Sequence, residues 1–302
     1  MARVNRRSAS LAVLGLVLLA GSAALSGCVI HADDSTYGDS YGSSRAFEST
    51  TVDRPAATKG RLVAESRNGS ITVHRATDGK LHVEASMRSR SEGRVKDAAL
   101  DVTDTSVGVR VAIKWPDGRW QAGDAADLEI WIPDADGLDL NSTNGDIEVG
   151  GFAGRLTATT SNAGITIKRH DGTVIARTSN ADIEASDVTG DVDATTSNSS
   201  ITLRDVTGRV VALTSNGDID IHLAPSASGP VTATTSNSSI TLLVGPGFTG
   251  ELSASTSNGT VECTDARARS TRSGKSSEVF NFGSGTASKL ATSNGDVTVK
   301  PR

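Results

Sequence analysis

The sequence predicts an all-β fold, a parallel β-solenoid or β-helix of 18-residue coils with a mixed β region capping its N-terminal side. Three observations predict it. The phrase Ser/Thr-Asn-x-x-Ile/Val-x-apolar recurs at Asn144, Asn162, Asn180, Asn198, Asn216, Asn237, Asn258 and Asn294, with four steps of 18 residues, two of 21 and one of 36. A looser copy begins at Asn68. Composition is the second: 302 residues that are 36% hydrophobic and 3% aromatic cannot fill a thick core, whereas Ser, Thr, Asn, Val and 31 glycines suit short strands and many turns. The third is an alternation of charge from copy to copy, described below.

Taken in order, residues 1–27 carry Arg3, Arg6 and Arg7, an apolar run from Leu11 to Ala20 and small residues up to Gly27, the pattern of a secretory signal peptide. The apolar run is too short for a spanning helix. Leu25-Ser26-Gly27-Cys28 resembles the lipobox of bacterial lipoproteins, which implies acylation at Cys28 and a membrane anchor of two or more chains. Residues 28–59 are polar and without period, and read as a disordered tether with a reach of roughly 30 Å.

Residues 60–140 read as the N-terminal strands and cap. Alternation places strands near Leu62–Glu65, Ile71–His74, Leu81–Ser86, Val107–Ile113 and Leu128–Ile132, with Asp78-Gly79 as a hairpin turn. Glu92 to Ala99 suits either a loop or one short helix. Trp115, Trp120 and Trp131 all fall here. They suit either a sugar-stacking platform or the bulky plug that a first coil needs.

Residues 141–302 are the solenoid repeats. Two core columns align: Ile147, Ile165, Ile183, Ile201, Ile219, Ile240, Val261 and Val297, then Val149, Ile167, Ala185, Leu203, Ile221, Leu242, Cys263 and Val299. A second strand per coil carries pairs such as Leu156/Ala158 and Val174/Ala176. Between the columns, Glu148, Thr166, Glu184, Thr202, Asp220, Thr241 and Glu262 alternate acid with threonine. Stacked in register, that keeps like charges off adjacent rungs. The asparagines are expected to form a ladder at a corner, in left-handed backbone. The alternative fold is an antiparallel meander, since Asn-Gly also marks hairpins. Residues 264–289 interrupt the repeat with an exposed basic loop bearing Arg267, Arg269, Arg272 and Lys275, followed by a strand at Val279–Phe282 whose phenylalanines cap the end.

Lipobox, tether, mixed β start and repeated Ser-Asn-Gly-Asp-Ile units together resemble the bacterial putative-adhesin, β-strand-repeat family, a domain of unknown function, over residues 60–300. The resemblance implies a β-helix-like domain on the cell envelope, adhesive by analogy, with no catalytic residues to carry over.

Function narrows from there. A net charge of −5 excludes a strong global attraction to nucleic acid. Two cysteines form neither a disulfide framework nor a zinc site. A non-enzymatic surface lipoprotein is expected, partnered by the membrane through Cys28 and by a cell-wall or surface polymer, or another envelope protein. No cofactor or metal is expected. A polysaccharide-acting enzyme needs converging acids, whereas these carboxylates lie in rows, and His74, His82, His170 and His222 read as out of a common register. A cation-binding repeat needs acids together, whereas these alternate. Cys263 sits in a core column and reads as a small buried hydrophobe. Candidate partner-binding residues are therefore those where the repeat fails: Trp115, Trp120 and Trp131, and Arg267, Arg269, Arg272 and Lys275.

Overall fold

Each coil's two apolar alternations become two strands, one on each of two facing sheets. The computed structural model describes residues 28–31, 46–55, 60–274 and 276–302; the expected signal peptide and Lys275 lie outside the described residues. The front sheet stacks Ile147–Gly150, Ile165–Asp171, Ile183–Thr189, Ile201–Val206, Ile219–Leu223 and Ile240–Val244, all parallel and in register. The back sheet stacks the second strands, Arg155–Thr159, Val174–Arg177, Val192–Thr195, Val210–Leu213 and Val231–Thr234, equally in register. Among the described residues each sheet has 13 strands. The repeat is thus a parallel solenoid, and antiparallel pairing is confined to its two ends.

Both core columns from Ile147 to Leu242 are at most 3% exposed. Facing them are valines and alanines such as Val192 and Ala194, also fully buried. Alanine opposite isoleucine keeps the interior one side-chain layer thick, which is how a chain with few aromatics still builds a continuous core.

Nine asparagines form the expected ladder. Eight of the nine donate Nδ2 to the Oδ1 one rung away, at 2.5 Å for Asn144 to Asn68 and 3.0 Å for Asn216 to Asn198, and Asn68 at the end donates to the Asp124 carbonyl at 2.8 Å. They are not left-handed, however. Left-handed residues stand instead at a different corner of the coil, among them Gly151, Arg169, Asp187 and Asp205. The corner carrying the asparagines is instead braced by the threonine that opens each phrase: Thr178 and Thr196 are buried and donate Oγ1 to the carbonyls of Ala163 and Ala181, both at 3.0 Å.

The ladder also reveals an order that differs from the chain. Asn294 donates to Asn237 and Asn258 donates to Asn294, so the last copy lies between the two before it. Val297–Pro301 pairs with Ile240–Val244 on one side and Val261–Cys263 on the other. The position before the first core column explains why. In stack order it reads Asp127, Ser70, Asp146, Gly164, Asp182, Ser200, Asp218, Ser239, Asp296, Thr260. Every aspartate accepts the backbone N–H of the next rung, from Ser70 (2.8 Å), Gly164 (2.7 Å), Ser200 (2.9 Å), Ser239 (2.9 Å) and Thr260 (2.7 Å). In chain order Thr260 would follow Ser239 and lose its carboxylate. Alternation therefore separates like charges and also caps an amide on every second rung. The Glu148 row alternates through the body, but places Thr241 beside Thr298 and Glu84 opposite Glu129 at its ends.

The ends depart from expectation in three ways. Asp78-Gly79 is not a hairpin turn, because Ala125–Ile132 runs between Ile71–Arg75 and Lys80–Ser89, parallel to the first and antiparallel to the second. The segment read as a tether contributes two strands, Cys28–His31 and Ala46–Pro55, the latter paired with Lys80–Ser89 over ten residues. Its Thr50-Thr51-Val52 favours strand, and Val52 is buried. The interruption is a hairpin rather than a loop: Arg269–Ser273 pairs with Ser277–Asn281, which edges the back sheet against Glu251–Ser255. Phe280 is buried there, and Phe282 meets Phe248 edge to face at 5.1 Å, so the phenylalanines do close this end. Glu92–Lys96 is the short helix.

His82 fastens the added strand Ala46–Pro55. Its Nδ1 lies 2.6 Å from Asp53 and its Nε2 2.7 Å from Asp78. The hydrogen bond to Asp53, then that to Asp78, raises the imidazole above its ordinary value. A raised folded pKa contributes stability that is complete below the unfolded value and lost as pH rises through the folded one. The stability gap between the wild type and His82→Gln is therefore expected to close as pH is raised across that range. A gap that widens with pH would contradict the clasp.

Candidate functional site

The expected site residues fall at opposite ends and do not form one site. Trp115 is buried and packs against Trp120 at 5.3 Å, with the Arg94 guanidinium 5.8 Å from its ring. Beneath them Arg94 pairs with the fully buried Asp124 at 2.7 Å. This pair of tryptophans plugs the first coil. Arg267 is bound to Asp265 at 2.6 Å and lies over Phe282. Its guanidinium holds the Asp265 carboxyl below the usual range. Arg269 and Arg272 are exposed on the edge strand. Cys263 occupies its core column beside Val299, but on the terminal rung, so it is half-buried, and burial pushes its thiol up.

Trp131 is different. It stands on the outer side of the front sheet and stacks on His74 at 5.4 Å and 27°. His74 also lies 3.2 Å from Glu129. These residues belong to a row that crosses the rungs, running His82, Trp131, His74, then Gly150, Lys168, Ser186, Arg204, His222, Leu243 and Lys300. The histidines are thus not scattered: His74 and His222 each follow a core isoleucine by three residues. His82 joins through Trp131. Of these four, His170 lies elsewhere, buried, with Nε2 2.9 Å from the Gly154 carbonyl; burial lowers its pKa. The front face therefore sets a cationic and aromatic row beside the acid and threonine row.

Where this row reaches Gly150 it loses its side chain. A cleft of about 470 Å³ opens there, lined by Val73, His74, Arg75, Glu148, Val149, Gly150, Gly151, Lys168 and Arg169. Lys168 lies 3.2 Å from Glu148, and Arg75 donates to the Gly151 carbonyl at 3.3 Å. The sequence carries a signal for it: Gly150-Gly151 stands where later copies have Lys168-Arg169, Ser186-Asp187 and Arg204-Asp205. A glycine pair inside a strand marks close approach or an open site. Among the described residues, no group of three or more His, Cys, Asp or Glu is placed to hold a metal ion.

A ruled polar face on stacked parallel coils, interrupted by the cleft over Gly150, defines the class: a β-solenoid repeat protein. Residues 60–300 match the Toastrack DUF4097 family model, and the chain belongs to that family. Comparison with curated proteins finds no match. Among solved structures, a putative lipid binding protein from Parabacteroides distasonis is 9% identical, with 83% of this chain and 96% of that chain covered and a TM-score of 0.50. A putative adhesin from the same species is 12% identical with the same coverage and a TM-score of 0.41. Another from Bacteroides fragilis is 14% identical, covering 84% and 97%, with a TM-score of 0.33. Such identities speak to the fold alone, and only the first TM-score supports it.

Proposed function

We propose that this is an exported lipoprotein, anchored to the outer face of the bacterial cell membrane through Cys28, that acts as a non-enzymatic, adhesin-like binding module for a cell-wall or surface polymer. The observation that carries the reading is the front face. Its in-register rungs repeat polar groups at about 4.8 Å, a ruler suited to a repetitive ligand. Thirteen strands at that spacing span roughly 55–60 Å, and Cys28 opens the outermost strand at one end, so an anchored molecule would present this face away from the lipid.

The test is an array of cell-wall and surface polymers probed with the full chain carrying Cys28→Ser, with and without calcium. Retention of one polymer class without turnover is expected. Release of cleaved product from any polymer would replace the reading by a polysaccharide-acting enzyme.

A further inference from the structure

We propose that the cleft over Gly150 is a slot for one acidic sugar unit, a ring bearing a carboxylate or a phosphate, within an anionic glycan. The proposal rests on the binding reading above and names the ligand class. Three independent observations support it.

The first is shape. The strands flanking Ile147–Gly150 are about 9.6 Å apart, twice the strand spacing, and only Gly150 stands between their side chains in this row. One wall is the His74 imidazole, backed by Trp131 and held by Glu129. The other is the aliphatic stem of Lys168. An aromatic wall facing an apolar stem suits the face of a sugar ring.

The second is charge. Arg75, Lys168 and Arg169 line the slot against one carboxylate, Glu148, which is already bound to Lys168. Two guanidiniums offer the planar forks that bind carboxylate or phosphate through paired hydrogen bonds.

The third is backbone. Arg169 is left-handed, with φ of 54°. The same corner is occupied by Gly151, Asp187 and Asp205 on other rungs, residue types that tolerate this conformation. Arginine is the costly choice there. It brings a guanidinium nitrogen to 4.0 Å from where a Gly150 Cβ would stand, at the mouth of the slot. Strain placed at a cleft points to use of the side chain.

The experiment is calorimetric titration of the full Cys28→Ser chain with oligogalacturonate, its neutral methyl ester, and a phosphomannan oligosaccharide. At least one acidic probe should bind, and which one does distinguishes carboxylate from phosphate. The methyl ester should bind at least tenfold more weakly than the free acid if the carboxylate is the ligand group. Gly150→Val fills the slot, and its Cβ would meet only the Lys168 carbonyl at 3.6 Å and the Arg169 guanidinium at 4.0 Å, so folding is kept. It should weaken binding at least tenfold with thermal stability unchanged or raised. Arg169→Gly relieves the left-handed strain and should weaken binding about tenfold, again without loss of stability. Equal binding by the wild type and Gly150→Val overturns the slot. So does failure of both acidic probes to bind. If neutral polymers are still retained on the array, only the slot is lost; if no polymer is retained, the binding reading falls with it.

Discussion

Gly172→Ala is expected to lower the unfolding free energy by about 3 kcal/mol, read from the shift in urea midpoint. Gly172 has φ of 141°, and a Cβ there would lie 2.1 Å from the carbonyl oxygen of Gly154 on the neighbouring coil. A Cβ on Gly190 would likewise meet the Gly172 oxygen at 2.3 Å. This column of glycines lets the turn of one coil rest directly on the turn of the next. The obstruction is backbone rather than a flexible side-chain end. Two sheets hold the coil spacing on either side, so a methyl group cannot be relieved locally. Gly283→Ala is the control: its φ is also positive, at 106°, but nothing lies within 4 Å of its Cβ. It should cost about 1 kcal/mol from conformation alone. Equal losses in the two variants would remove the stacking account.

Asp124→Ala should cost a similar amount, about 3 kcal/mol, by opening the N-terminal plug. Asp124 is fully buried and accepts from Ser89 Oγ at 2.7 Å, Arg94 at 2.7 Å and the Gln121 N–H at 2.8 Å. Burial by itself would raise this carboxyl, but the hydrogen bonds from Arg94, Ser89 and Gln121 outweigh it and hold it below the usual range. Deleting it removes the carboxylate that pairs Arg94 and leaves the buried Ser89 hydroxyl without its acceptor. The sign with pH follows from the lowered value. Stability from Asp124 is present above the unfolded carboxylate pKa and lost as pH falls through the folded one. The gap between the wild type and Asp124→Asn, measured by urea unfolding, should therefore be wide at neutral pH and narrow in acid. A gap that stays constant into acid would mean that the carboxylate charge is not what holds the plug.

Much of this was legible in the sequence. The core columns, the asparagine ladder and the parallel stack all follow from one aligned phrase, because each copy carries its own core pair and its own corner. The plug reading of the three tryptophans holds for Trp115 and Trp120 but not for Trp131, which stands on the outer face, and the phenylalanines close the other end. Other features were not legible by the same method. The strand Ala46–Pro55 was hidden by a polar composition, because a strand near the end of the stack needs only one apolar side and gains most from pairing with Lys80–Ser89. The cleft was hidden because His74 and Gly150 belong to copies 76 residues apart in the alignment of Asn68 with Asn144.

The sequence by itself determined the unit: two strands and two turns every 18 residues, properties that reside within one coil. Only the tertiary structure decided which unit lies beside which. Ala125–Ile132 enters between two earlier strands, and Val297–Pro301 enters between Ile240–Val244 and Val261–Cys263. The physical reason is that all coils present nearly the same edges, while the cost of closing a longer connection grows only slowly with its length. Chain order therefore constrains neighbours weakly at the ends, and hydrogen bonding decides. The aspartate row then selects the order in which every second rung can offer a carboxylate to the amide of the next.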